Sequence, residues 1–146
     1  MRAGLENWKA ETMWHQVPRV ILAEDDEELR SLLAGVLRRD GYDVVEASSG
    51  LELLELLADL LQRRGSVPCC ELVVTDIRMP GATGLQVLET LRHRDWATPL
   101  MVITAFGDEQ AHAEARRLGV AAMFDKPFDL DDFRMAVWNL LSPRAQ

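Results

Sequence analysis

The chain alternates between short apolar runs and longer segments with helical periodicity. Between residues 27 and 39, leucine and valine recur at the i, i+3, i+4, i+7 and i+8 positions of one helical face. The apolar runs are short and are bounded by polar residues or glycine, as strands are. This pattern predicts strands over 20–23, 43–46, 72–75, 100–104 and 121–124, and helices over 27–39, 50–64, 85–93, 108–118 and 130–141.

Strands that alternate with helices in this way are typical of a doubly wound parallel sheet with helices on both faces. The runs 72–75 and 100–104 are apolar at successive positions, which fits strands buried on both faces. We therefore expect one α/β domain over residues 19–141. We expect residues 1–18 to be an N-terminal leader of unknown structure and residues 142–146 to be a C-terminal tail.

Composition narrows the function classes. The 146 residues, 27% charged and 48% hydrophobic, suit one soluble domain. The formal net charge of −8 argues against direct nucleic acid binding, which relies on clustered lysine and arginine. No apolar run approaches the roughly 20 residues that span a bilayer, and the first residues lack the apolar core of a signal peptide. We expect a cytoplasmic protein without membrane insertion.

Polar side chains stand where the predicted strands end. Glu24 and Asp25 follow the first strand, Asp76 follows the third, Thr104 closes the fourth, and Lys126 comes after the fifth. In doubly wound sheets, ligands bind outside the carboxyl ends of the strands. These five residues, scattered along the chain, are therefore expected to share one pocket.

The residue types in this pocket indicate its chemistry. Clustered carboxylates stay ionised together only if a cation compensates their charge, and oxygen ligands favour Mg²⁺, Mn²⁺ or Ca²⁺. We expect Asp25 and Asp76 to be direct ligands and Glu24 to act partly through water. A carboxylate beside such a cation can attack phosphorus. Lys126 and Thr104 would then supply an ammonium and a hydroxyl to the phosphoryl oxygens.

Four segments, taken together and in order, resemble the receiver domain of two-component response regulators. They are Val20–Arg30, Thr75–Gly84, Ile103–Ala105 and Phe124–Phe128. The resemblance extends over nearly the whole chain, from about residue 19 to residue 141. It implies a flavodoxin-like fold with the strand order 2-1-3-4-5.

The resemblance also implies a role for each site residue. Asp76 would accept a phosphoryl group from a sensor histidine kinase or a phosphotransfer protein, while Lys126 and Thr104 would contact that group. The cofactor would be Mg²⁺, with Mn²⁺ as a substitute. Its ligands would be Glu24, Asp25, Asp76 and the backbone carbonyl of Arg78.

Signalling would follow from phosphorylation-dependent protein contacts, without turnover of a separate substrate. The downstream protein is unknown. A homodimer would use the face formed by the helix over 108–118, the strand over 121–124 and the helix over 130–141. The resemblance also implies a cis peptide bond between Lys126 and Pro127 in this chain.

The chain departs from the family pattern in two places. Met123 stands where receiver domains usually carry the switch aromatic, and Phe124 one position later should point to the opposite side of the strand. Thr83 stands where the family often has aspartate. Both departures favour an alternative function, a degenerate receiver that acts as a constitutive interaction module. The retained acidic residues and Lys126 favour the phosphorylated receiver.

Two enzymes on the same fold are weaker alternatives. An aspartyl phosphatase would need a carboxylate two positions after its nucleophile, where this chain has Arg78. A flavin protein would need a loop rich in serine, threonine and glycine after the first strand. In this chain that loop, residues 24–28, is acidic throughout and would repel the flavin phosphate.

Overall fold

The computed structural model describes residues 17–62, 70–79, 86–87, 89–90, 98–105 and 108–142, without the side chains of 60–62. Most of the predicted leader, the end of the tail and most of the predicted helix over 85–93 lie outside these residues, although residues 86, 87, 89 and 90 are helical. The elements in chain order are β1 (Arg19–Ala23), α1 (Glu27–Arg39), β2 (Asp43–Ala47), α2 (Gly50–Gln62), β3 (Leu72–Asp76), β4 (Leu100–Ala105), α3 (Glu109–Leu118), β5 (Ala122–Lys126) and α4 (Leu130–Leu141).

The five strands form one parallel sheet in the order β2-β1-β3-β4-β5. The predicted strand order and the doubly wound fold class are therefore confirmed. Strands β2 and β5 are the two edges of the sheet. Among the described helices, none combines the length and the apolarity that a bilayer crossing requires.

Alternation along the strands divides the core between the two faces of the sheet. In β1, Val20 and Leu22 face one side, whereas Ile21 and Ala23 face the other. The first side is covered by α1 and α4, and the second by α2 and α3. Each layer therefore buries its own hydrophobic cluster, as a doubly wound sheet requires.

Aspartate caps fix the start of three helices. The side chains of Asp26, Asp108 and Asp129 accept backbone N–H hydrogen bonds at the first turns of α1, α3 and α4. Such caps satisfy N–H groups that have no partner within the helix. At the other end of α3, Gly119 has a φ of 79°, a left-handed conformation that glycine adopts without a Cβ clash.

Strand β5 runs from residue 122 to residue 126, and not over 121–124 as the apolar pattern predicted. The prediction stopped too early because Asp125 and Lys126 are polar. Both residues still pair with β4, Asp125 opposite Thr104 and Lys126 opposite Ala105. The peptide bond that follows, between Lys126 and Pro127, is cis, as predicted.

Met123 and Phe124 lie on opposite faces of the sheet, which confirms the orientation expected from strand alternation. Met123 packs against the cluster on the α2 and α3 side. Phe124 packs on the α4 side, where its ring centroid is 5.5 Å from that of Phe128 and 6.0 Å from that of Phe133. A flexible thioether therefore occupies the side on which the switch aromatic was expected.

We predict that Phe133→Ala lowers the free energy of unfolding by about 3–5 kcal/mol, because it empties a fully buried site among the aromatic rings. Urea denaturation followed by circular dichroism measures the change. Trp138→Ala is the matched control on the same helix, because the Trp138 side chain is 58% exposed. Its expected cost is about 1 kcal/mol or less. Equal losses in the two variants would contradict the assigned core.

Candidate functional site

The parallel sheet brings the predicted site residues to its carboxyl edge. Glu24 and Asp25 directly follow β1, and Asp76 is the last residue of β3. Thr104 is the penultimate residue of β4, and Lys126 is the last residue of β5. All five side chains that the sequence singled out thus stand at the same edge of one sheet.

Lys126 joins two of the carboxylates. Its Nζ lies 2.5 Å from Asp76 Oδ2, to which it donates a hydrogen bond, and 2.9 Å from Glu24 Oε1. The contact with Glu24 is an ion pair and not an aligned hydrogen bond. Burial lowers the pKa of Lys126, but the contacts with Asp76 and Glu24 outweigh it and raise the pKa above its ordinary value. Lys126 therefore remains an ammonium at neutral pH.

Three carboxylates converge beside this ammonium. One oxygen from each of Glu24, Asp25 and Asp76 lies within 4.8 Å of the other two. Glu24 is fully buried and Asp76 is 5% exposed, whereas Asp25 is open to solvent. One ammonium cannot balance three carboxylates, and oxygen donors this close together suit a hard divalent cation. The residues present therefore fit Mg²⁺.

Local contacts hold Glu24 in its buried position. Its Oε2 accepts a hydrogen bond from the Asp26 backbone N–H at 2.9 Å, and its backbone carbonyl accepts one from Arg30 Nη1 at 2.9 Å. Burial raises the pKa of Glu24 to about 7, although the Asp26 N–H and Lys126 both act to lower it. At neutral pH without a cation, Glu24 is therefore only partly ionised.

Thr104 has a buried hydroxyl that lacks a hydrogen-bond partner within the described part of the chain. The neighbouring Thr75 is equally buried, but its hydroxyl donates to the Asp76 carbonyl at 2.9 Å. An unpaired buried hydroxyl costs about 1–3 kcal/mol, so such groups call for an explanation. An acceptor oxygen brought by a ligand would satisfy this one.

Arg78 contacts the site through both its backbone and its side chain. Its backbone N–H donates to Asp76 Oδ1 at 2.9 Å. Its guanidinium pairs with Asp108, with Nε 2.8 Å and Nη2 2.5 Å from Asp108 Oδ2. The Ala111 backbone N–H, and after it Arg78, lower the pKa of the Asp108 carboxyl.

Sequence patterns did not reveal two of these contacts. Arg30 was given no site contact from the sequence, yet its guanidinium lies 3.3 Å from Glu46 Oε1 and also binds the Glu24 carbonyl, which fixes the loop that carries Glu24. Asp108 was identified only as a helix start. No local signal predicts an ion pair between residues 30 positions apart. Thr83, which was also singled out, lies outside the described residues.

Comparison with known proteins agrees with this geometry. The family model described as "Response regulator receiver domain" matches residues 20–138 of the chain. The chain belongs to the response regulator receiver domain family. Receiver domains are signalling domains that are phosphorylated in a Mg²⁺-dependent manner.

Individual relatives agree with the family assignment. Sporulation initiation phosphotransferase F of Bacillus subtilis is 29% identical over 123 residues, which are 84% of this chain and 93% of that protein. Two relatives from Escherichia coli are longer proteins. The chain spans 25% of the length of Regulatory protein AtoC and 35% of the length of Regulator of RpoS.

Solved structures share the fold. The non-phosphorylated HemR receiver domain of Leptospira biflexa has a TM-score of 0.71 and 31% identity, with 86% of this chain and 94% of that chain covered. The Thermotoga maritima response regulator TrrA, in complex with Mg²⁺-BeF, has a TM-score of 0.69 and 25% identity. The match covers 84% of this chain and 98% of the TrrA chain.

The raised pKa of Glu24 predicts a pH-dependent affinity for Mg²⁺. A cation must displace the proton from Glu24 below pH 7, so the affinity should fall roughly tenfold between pH 8 and pH 6. Isothermal titration calorimetry measures it. In Glu24→Gln the affinity should be lower and nearly constant over this range. A wild-type affinity that is constant with pH would contradict the prediction.

The two buried threonines should respond oppositely to valine. Thr104→Val removes an unpaired hydroxyl, so we expect the free energy of unfolding to rise by about 1 kcal/mol. Thr75→Val removes the donor to the Asp76 carbonyl and should lower it by about 1 kcal/mol. Urea denaturation without Mg²⁺ compares them. A loss of stability in Thr104→Val equal to that in Thr75→Val would show that Thr104 has a partner.

Proposed function

We propose that Asp76 is the phosphoacceptor of this receiver domain. The observation that carries this proposal is the Lys126 ammonium 2.5 Å from Asp76 Oδ2, in a pocket with two more carboxylates. The cation would be Mg²⁺, or Mn²⁺ in its place, held by the side chains of Glu24, Asp25 and Asp76 and by the Arg78 carbonyl. When bound, it supplies positive charge that neutralises the phosphoryl oxygens.

The chain's own residues account for the transfer. A carboxylate oxygen of Asp76 forms a bond to phosphorus while the bond from phosphorus to the donor histidine nitrogen breaks, and that nitrogen keeps the electron pair. Lys126 holds the Asp76 carboxylate before the reaction and balances the added charge afterwards. The Arg78 backbone N–H on Oδ1 fixes the orientation of the carboxylate.

Thr104 would convert phosphorylation into a conformational signal. The phosphoryl group adds about −1.5 to −2 charge units and new acceptor oxygens. One of these oxygens would accept the hydrogen bond that the Thr104 hydroxyl lacks among the described residues. A shift of Thr104 would bias the conformational equilibrium of the face formed by α3, β5 and α4.

The phosphoryl donor would be a sensor histidine kinase or a phosphotransfer protein. The name of the Bacillus relative, a phosphotransferase that the chain nearly spans, supports membership of a phosphorelay. The output would be a contact with a downstream protein, or a homodimer through the face of α3, β5 and α4. The net charge of −8 speaks against direct binding to nucleic acid. A cytoplasmic location fits these partners.

Incubation with acetyl phosphate and Mg²⁺ tests the acceptor. Intact-mass spectrometry should show one added phosphoryl group on the wild type and none on Asp76→Ala. Asp43→Asn is the matched control, because Asp43 is a half-exposed carboxylate paired with Arg19 at the other end of the sheet. It should be modified like the wild type. An unmodified wild type, or a modified Asp76→Ala, would refute the assignment.

A pull-down that compares beryllofluoride-treated with untreated protein separates a switch from a constitutive module. The switch predicts that treatment changes partner binding or oligomeric state, and that Thr104→Val loses this change. Phosphorylation of Asp76 without any change in partner binding or oligomeric state would instead favour the degenerate receiver.

A further inference from the structure

The ion pair between Arg78 and Asp108 links the segment after β3 to the start of α3. Two nitrogens of the guanidinium contact the same oxygen, Asp108 Oδ2. The Arg78 side chain is 65% exposed, whereas that of Asp108 is only 14% exposed. The arginine is therefore free to change partner, but the aspartate is held in place.

Asp108 uses its other oxygen to cap α3. Its Oδ1 accepts the Ala111 backbone N–H at 3.1 Å, and its backbone carbonyl accepts the His112 N–H at 3.0 Å. One carboxylate thus serves both the first turn of α3 and the Arg78 guanidinium.

Within the described chain, helix α3 is attached mainly by polar contacts and small side chains. His112 Nε2 lies 2.5 Å from Asp125 Oδ1 of β5, and Leu118 is partly buried against the core. Its buried side chains are those of Ala111 and Ala115, whereas α4 buries Phe133 and Val137. Alanine contributes little apolar area, so cap and ion-pair contacts carry a larger share of the free energy that docks α3. Exposed ion pairs are typically worth only about 0–1 kcal/mol. Such a contribution is a smaller share of the docking free energy of a helix that buries large apolar side chains.

Arg78 also lies directly against the acceptor. Its backbone N–H donates to Asp76 Oδ1. A phosphoryl group on Asp76 would therefore lie next to the residue that carries the guanidinium. A guanidinium binds phosphoryl oxygens through parallel hydrogen bonds, and the phosphoryl group carries more charge than one carboxylate.

We propose that Arg78 exchanges partners when Asp76 is phosphorylated: its guanidinium leaves Asp108 for the phosphoryl oxygens, and the first turn of α3 loosens. This inference rests on the function proposed above for Asp76. It adds a second route to α3 that does not pass through Thr104. Arg78 acts here as a positioning residue, because it controls α3 through Asp108.

Amide hydrogen exchange at Ala111, measured by NMR, tests the exchange of partners. Mg²⁺ with beryllofluoride should accelerate exchange in the wild type roughly two- to fivefold, as the loss of an exposed ion pair implies. In Arg78→Gln the untreated protein should already exchange at the faster rate, and treatment should add nothing. In Asp108→Ser a hydroxyl still caps α3 but the charge is gone, so treatment should again have no effect.

Arg134→Gln is the matched control. It breaks another two-nitrogen contact, between Arg134 and Asp40, that involves neither α3 nor the acceptor. This variant should respond like the wild type. Fluorine NMR of the same samples reports beryllofluoride binding separately. Absence of bound beryllofluoride in the wild type would overturn the function of Asp76 and this inference together. Bound beryllofluoride with unchanged Ala111 exchange, or with Arg78→Gln responding like the wild type, would overturn the inference alone.

Discussion

The site depends on one unbalanced set of charges. Three carboxylates share a pocket with a single ammonium, and Glu24 is fully buried there. Burial and mutual repulsion would expel such a cluster unless the fold held it, and the parallel sheet does so by ending three strands at one edge. Arg30 and the Asp26 N–H then fix Glu24 locally. The folded chain is thus prepared to bind positive charge before any ligand arrives.

The sequence was sufficient for the elements that repeat simple patterns. Helices α1 and α4 were predicted with their observed bounds, and in the structure each begins directly after a capping aspartate. The prediction for β5 ended two residues too early, since Asp125 and Lys126 pair with β4 although both are polar. The five site residues could be grouped because a topological rule places strand ends together. The ion pair between Arg78 and Asp108 could not be predicted from the sequence, since this contact depends on side-chain geometry between segments that are distant along the chain.

The described helices differ in how much apolar side chain they bury. On one face of the sheet, α1 and α4 are anchored by buried side chains, namely Leu33, Leu37, Phe133 and Val137. The rings of Phe124 and Phe128 complete that cluster. Helix α3, on the other face, buries only alanines. Local opening tends to occur where few apolar contacts must break. Helix α3 is therefore the described helix that changes in charge can most readily move, whereas α2 on the same face is anchored by Leu53 and Leu57.

The outer position of β5 has a consequence for contacts between molecules. An edge strand offers unpaired backbone groups to any passing chain and invites irreversible aggregation. Here β5 has five residues, all half-buried, and it ends in Asp125 and Lys126. So short an edge strand opposes continuation of the sheet into a neighbouring molecule. This edge is therefore poorly suited to pair with a strand of another molecule.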